Sequence, residues 1–272
     1  MNIKKSVQNN FVFQIITNPN VYLKELIWRT LGLGLATFCI ILAINYFNLE
    51  SLTIPASMHS LIGIVIGLLL VFRSNTAYDR WWEGRKTISS ISNEISVISA
   101  RLNVLKTDSN KEALDQIRTT LSKLLTSLRH YLKSGADGEE SISFHIEQKK
   151  LIEEALITLN SLDQQDSNVD AISKSITKLI ENSNTLERIK NTPIPLSYKF
   201  HIKISILMYL LTLPFGMFHE LGIWATPLIM LVHYVISGVE IISNEIENPF
   251  ADDPNDLPTE KLFNVIEKTL WD

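Results

Sequence analysis

Cysteine is almost absent: Cys39 stands alone in 272 residues, inside an uncharged stretch. One thiol excludes an intrachain disulfide and any cysteine-based metal cluster. The sequence also lacks a glycine-rich phosphate loop and an HExxH pair, its six histidines are dispersed, and the single thiol has no evident base. Neither nucleotide cradling nor metal-assisted hydrolysis has its residue spacing, so the chain is not expected to be an enzyme. A formal net charge of −4 gives no concentrated Lys and Arg for backbone phosphates, and no nucleic-acid partner is expected. The most informative absence is that of charge. Thr30–Leu49, Ser51–Phe72, Ile204–His219 and Leu221–Val239 contain no Asp, Glu, Lys or Arg.

A helix rises ~1.5 Å per residue, so about 20 apolar residues cross the ~30 Å hydrocarbon core of a bilayer. The four runs predict four membrane-crossing helices in two hairpins, with a polar region between them. Asn48-Leu49-Glu50 is so short that the first two spans must be antiparallel, and Pro55 belongs near the start of the second. Gly32 and Gly34 permit close helix approach in the first span. Lys24 and Arg29 precede span one, and Arg73, Arg80, Arg85 and Lys86 follow span two, which puts both hairpin ends in the cytoplasm and Glu50 outside. An even number of spans then leaves both termini cytoplasmic in a multi-pass protein of the inner or plasma membrane. The N-terminus reaches Asn9, Asn10 and Gln14 before any apolar core, a pattern without a removable secretory signal.

The expected division is an N-terminal cytosolic arm over residues 1–24, a first membrane hairpin over 25–72 and a cytosolic helical region over 73–193. A second hairpin follows over 194–239, then a C-terminal acidic segment and helix over 240–272. In the polar region Ile88, Ile91, Ile95, Ile98 and Leu102 recur at helical spacing, as do Leu114, Ile117, Leu121, Leu124, Leu125 and Leu128. These stripes predict the core of a helical bundle. Gly135–Glu140 reads as a loop, with helices expected at about Glu147–Leu162, Val169–Ile189 and Leu257–Leu270. Pro214 and Gly216 are expected to bend the outer end of span three.

Ile64, Leu68 and Phe72 recur every four residues and so share one face of the second span. In a monomer that stripe would face lipid or neighbouring helices. In a symmetric oligomer it would stack into apolar rings, which gate ions by dewetting. Ser57, Ser60 and His59 can line a polar vestibule outside the neck, although His59 serves equally as an interhelical hydrogen-bonding residue. Beneath the stripe lies a charged collar of Arg73, Asn75, Asp79, Arg80, Trp81 and Trp82. Tryptophans anchor at membrane interfaces, and the arginines can snorkel or pair with Asp79 and Glu83. Arg73 or Asn75 can also meet an anion at the neck mouth. Asp252 to Asp256 offers hard oxygen ligands of the kind calcium uses, without a complete helix–loop–helix calcium loop.

Phe72-Arg73-Ser74-Asn75-Thr76-Ala77-Tyr78-Asp79-Arg80-Trp81-Trp82-Glu83-Gly84-Arg85 closely resembles the signature of the bestrophin family, in particular its bacterial branch. Thr192-Pro193-Ile194-Pro195-Leu196-Ser197-Tyr198 is similar to the entry of that family's second membrane hairpin. Glu247-Asn248-Pro249-Phe250 resembles the element before its acidic cluster. The three motifs are collinear over nearly the whole chain. The resemblance implies an all-α membrane protein with four transmembrane helices per subunit and a cytosolic helical bundle, assembled as a homopentamer in membrane lipid. It implies passive conduction of small ions through a central pore, with the neck at Ile64, Leu68 and Phe72 and a second, cytosolic constriction at Ile180 or Ile176. Chloride conduction is the family activity, and bacterial relatives include cation-conducting channels, so the expected permeant ions are chloride or, alternatively, sodium and potassium. Animal members hold calcium in an acidic clasp, parts of which match Asn248, Asp252 and Asp256. Here Ala251 replaces a glycine and Pro254 and Asn255 break the acidic run, so no cofactor is expected to be required and calcium is at most an occupant of a degenerate clasp. The competing reading is a membrane scaffold or receptor whose cytosolic bundle binds a protein partner.

Overall fold

A computed structural model describes residues 21–48, 54–135, 138–162 and 166–272. The expected N-terminal arm up to residue 20, the turn at Glu50, and parts of the loops at 136–137 and 163–165 lie outside the described residues. Eight α-helices follow one another among those described: α1 (Val21–Tyr46), α2 (Ala56–Leu105), α3 (Lys111–Lys133), α4 (Gly138–Asn160), α5 (Ser167–Asn191), α6 (Leu196–Leu221), α7 (Ala225–Glu247) and α8 (Thr259–Trp271). They divide into two compact units. The first takes the described residues up to Tyr78 together with Ile194–Glu245, and the second takes Asp79–Pro193 and Ile246–Asp272.

In the first unit, α1, the start of α2, α6 and most of α7 bury Ile41, Ile66, Leu70, Ile202, Ile206, Leu210, Leu213, Ala225 and Ile229 in a common core. Pro55 opens α2, its carbonyl accepting from the amides of Met58 and His59, as a proline before the first turn should. Helix α6 runs through Pro214 to Leu221 without ending at the proline. Gly222 then takes φ of +54°, a left-handed conformation open to glycine without strain, and stops it. A short 3-10 turn, Gly222–Trp224, leads into α7. Of the two glycines in α1, Gly34 is the one used for close approach: a Cβ there would fall 2.6 Å from Met230 Sδ, whereas Gly32 faces open space.

Three stretches among the described residues are long and apolar enough to cross a membrane: Leu23–Tyr46, Ala56–Leu105, and Leu196–Glu247, which contains both α6 and α7. Trp28, Leu35, Tyr46, Leu61, Met208 and Leu231 on these stretches present most of their surface outward. Such apolar surface is costly in water and compatible with lipid. The chain is a multi-pass membrane protein.

The second unit is a helical bundle. Ile88, Ile91, Ile95, Ile98 and Leu102 of α2 pack against Leu114, Ile117, Leu121, Leu125 and Leu128 of α3, joined by Ile172, Ile176 and Leu179 of α5 and Phe263, Ile266 and Leu270 of α8. The two stripes read from the sequence are therefore its core. Helix α4 begins earlier than the loop-like composition suggested, at Gly138. Glu139 and Glu140 fall in its first turn, where the helix dipole favours acidic residues. Asp166 caps α5 by accepting from the Asn168 amide at 2.8 Å. Helix α2 itself continues unbroken for 50 residues, roughly 75 Å at the usual rise.

Candidate functional site

Around residue 70, α2 has a packed side and an open side. Ile66, Leu70, Arg73 and Ala77 are buried in the first unit, while Ile64, Leu68 and Phe72 are 62%, 53% and 61% exposed. The neck residues thus form a continuous apolar strip available to an axis, to lipid or to another subunit. Ser57 and Ser60 are also exposed, and Ser60 returns its hydroxyl to the Ala56 carbonyl at 2.9 Å. His59 is turned inward instead. Its Nε2 lies 3.3 Å from Thr212 Oγ1, and its ring lies where a Cβ on Gly216 would stand, 2.7 Å from Nδ1. Of the two roles open to His59, the structure supports the interhelical one.

Arg73 follows the neck directly, yet it is 1% exposed. Its guanidinium donates to Asn244 Oδ1 and lies 3.9 Å from Glu240 Oε1. Asn244 Nδ2 donates to the same Glu240 oxygen at 3.1 Å, and Arg29 approaches the other at 3.6 Å while also pairing with Glu25. The expectation that Arg73 snorkels, pairs with Asp79 or Glu83, or meets an anion at the neck mouth is corrected here. A buried guanidinium needs a fixed counter-charge, and α7 supplies one. Neither Glu240 nor Asn244 belongs to a motif that singles it out in the sequence. The available signal was their four-residue spacing, which puts both on one face of α7 directly after an apolar run. Earlier in α7, His233 makes contacts of 3.1 Å to Thr30 Oγ1 and 2.9 Å to Ser237 Oγ, tying α1 to α7 through polar groups satisfied inside the unit.

The rest of the collar lies in the second unit, apart from the exposed Asn75. Asp79 is exposed too. Arg80 spends its guanidinium on backbone carbonyls: Ile189 at 2.5 Å, Thr192 at 2.6 Å and Glu247 at 3.0 Å. These carbonyls end α5 and α7, where helices leave acceptors without partners and carry partial negative charge. Glu83 is taken by Arg188 at 2.8 Å, and Arg85 donates to Ser89 at 2.5 Å. Trp81, expected as an interface anchor, packs against the bundle core and donates Nε1 to the Asn255 carbonyl at 3.0 Å. Trp82 is the more open of the pair, stacked on Trp81 with centroids 6.4 Å apart and with Lys86 above it. Gly84 brings two distant motifs into contact: a Cβ there would meet the fully buried Phe250 ring at 3.1 Å.

Ile176 is 1% exposed within the bundle core, leaving it no surface for a constriction, whereas Ile180 is half-buried. The acidic turn after α7 is closed by its own bonds. Leu257 donates to the Pro249 carbonyl at 2.9 Å, and Asp256 Oδ2 accepts from the Asp253 amide at 2.7 Å. Asp252 Oδ1 lies 3.0 Å from Lys133 Nζ, and Asn248 is exposed. Calcium requires about six to eight oxygens converging at roughly 2.3–2.6 Å. Among the described residues no group of three or more His, Cys, Asp or Glu is placed to hold a metal ion. Asp252 instead faces the Lys133 ammonium.

An all-α, multi-pass membrane fold with an open apolar strip beside a buried Arg73 that faces Glu240 defines the class of protein. The family model for bacterial and fungal bestrophin proteins matches residues 4–272. A voltage-dependent anion channel-forming protein of Nostoc sp. is 34% identical over 262 residues, covering 86% of this chain and 84% of that protein. One from Synechocystis sp. is 32% identical over 240 residues, covering 81% and 78%. The crystal structure of a bacterial bestrophin homolog from Klebsiella pneumoniae shares the fold with a TM-score of 0.80, at 20% identity over 90% of this chain and 96% of that one. The chain belongs to the bacterial/fungal bestrophin family. Membership also makes it a non-enzymatic protein.

Proposed function

We propose that this chain is the subunit of a homopentameric ion channel that passes small inorganic ions down their gradients through a central pore. Four crossings, by α1, the first half of α2, α6 and α7, would leave both termini and the helical bundle in the cytoplasm. The observation that carries the reading is the open strip of Ile64, Leu68 and Phe72, more than half exposed beside a fully packed opposite face. Five copies of that strip about an axis make three apolar rings. Such a neck asks an ion to shed water without offering ligands, so its width and wetting set the current. Ile180 is the proposed second constriction.

Relatives named as voltage-dependent anion channel-forming proteins support chloride as a permeant ion. An apolar neck carries no charge preference of its own, and sodium and potassium stay within its reach. Conduction of this kind requires no cofactor. The test is bilayer recording of the purified, verified pentamer under asymmetric NaCl. A current is expected, and its reversal potential assigns the sign of the permeant ion. An assembled protein that carries no current in liposomes or bilayers overturns the reading, and a stoichiometry other than five by native mass measurement overturns the assembly.

A further inference from the structure

The second unit holds a cation of its own where the resemblance would put calcium. Lys133 closes the last turn of α3, and its ammonium reaches two carboxylates from the C-terminal segment: Asp252 Oδ1 at 3.0 Å and Glu260 Oε1 at 3.4 Å. Glu260 is shared with Arg129 at 3.4 Å, which also donates to Asn264 Oδ1 at 3.0 Å. Within the turn, the Asp253 amide fills Asp256 Oδ2 and the Trp81 indole fills the Asn255 carbonyl. One oxygen of Asp252 is thus held by an ammonium, one of Asp256 by a backbone amide and the Asn255 carbonyl by an indole, all from this chain.

We propose that Lys133 is the built-in counter-cation of the Asp252–Asp256 turn, occupying Asp252 and lowering the affinity of the turn for a divalent ion. The physical reason is charge. A tethered ammonium compensates Asp252 and Glu260 without leaving, and a calcium ion entering beside it would face like charge at about 5 Å. Even with water-like screening, that repulsion weakens divalent binding on the order of tenfold, and more where screening is poorer. The pair needs no help from burial: Lys133 and Asp252 both keep contact with solvent, and their proximity gives the effect. The inference goes beyond the conduction reading and does not depend on it, because ion binding is measured without flux.

The experiment is calorimetric titration of CaCl2 into the full chain in detergent, in chelator-treated buffer, with helicity and assembly size checked for each variant. Lys133→Gln should bind calcium at least about tenfold more tightly than the wild type. Lys133→Arg, which restores the charge, should behave as the wild type, and adding Asp252→Asn to Lys133→Gln should abolish the gain. Terbium binding, read by tryptophan-sensitised emission from Trp81 beside the turn, should follow the same order. Equal calcium affinity in wild type and Lys133→Gln overturns the proposal, as does a gain that survives Asp252→Asn. Should Lys133→Gln be too unstable for titration, Lys133→Met keeps the apolar stem. CaCl2 should then raise the melting temperature of the neutral variant and leave the wild type unchanged; identical responses overturn the proposal.

Discussion

Arg73, one residue beyond Phe72, is turned into the first unit with its guanidinium 3.9 Å from Glu240 of α7. The same carboxylate takes Asn244 and Arg29, so one acid on α7 organises α1 and α2 around itself. Removing one partner of a buried ion pair leaves the other charge desolvated and costs about 3–5 kcal/mol, whereas replacing both with apolar groups costs far less. Arg73→Met and Glu240→Leu should each lower the melting temperature in detergent strongly, and the double variant should recover much of the loss. Additive losses in the double variant would remove the coupling. Glu240→Gln, which keeps the shape and most acceptors, should fall between.

The neck makes a prediction that separates its two faces. Leu68→Ala and Phe72→Ala remove bulk from the open strip, so they should raise single-channel conductance severalfold and cost little stability. Ile66→Ala, on the packed face, should instead cost about 2–5 kcal/mol of stability, through lost burial and a residual cavity, and leave conductance unchanged. Unchanged currents in both neck variants, with assembly verified, would refute the assignment of the strip to the pore.

Why some features were legible in the sequence and others were not follows from how far each depends on distant residues. The Ile88–Leu102 and Leu114–Leu128 stripes read correctly because burial repeats at the helical period, and the period is local. The glycine-and-acid stretch around residue 138 misled because composition cannot tell a polar loop from a polar first turn. The unbroken course of α2 was concealed by the change from apolar to charged residues after Phe72, a change of surroundings and not of backbone. Arg80 was the least legible: its acceptors are carbonyls 109, 112 and 167 residues away, and backbone atoms carry no residue code. Trp81 misled for a related reason, since an indole at an apparent membrane exit and one packed on a bundle core look alike in sequence.

Gly84 and Phe250 give a steric test. A Cβ at Gly84 would sit 3.1 Å from the Phe250 ring and 3.4 Å from Leu257, tighter than a packed core accepts without moving. Gly84→Val should destabilise the second unit by about 1–3 kcal/mol through overpacking, and Phe250→Ala by about 3–5 kcal/mol through the cavity it opens. Gly84→Ala should be milder alone and partly compensated by Phe250→Leu, which withdraws the ring. Thermal denaturation of the four variants decides it. A Gly84→Val protein as stable as the wild type would mean that the ring yields freely.

Arg80 joins two helix ends through three bonds that only a forked, planar cation can make together. Lysine brings the charge but not the fork, and glutamine has no charge at all. Hydrogen bonds from a charged donor contribute about 1.5–3 kcal/mol each, and carbonyls left without a donor add their desolvation cost. Arg80→Gln should therefore lower stability more than Arg80→Lys, and both more than Arg85→Gln, whose native partner is the neighbouring Ser89 on the same helix. The loss should also be localised. Amide exchange should accelerate in the last turn of α5, around Arg188 to Asn191, and at the end of α7, while the Ile91–Leu102 segment of α2 stays protected. Uniform acceleration across the bundle would show that Arg80 acts through global stability alone, and no acceleration at either helix end would show that the capping bonds carry nothing.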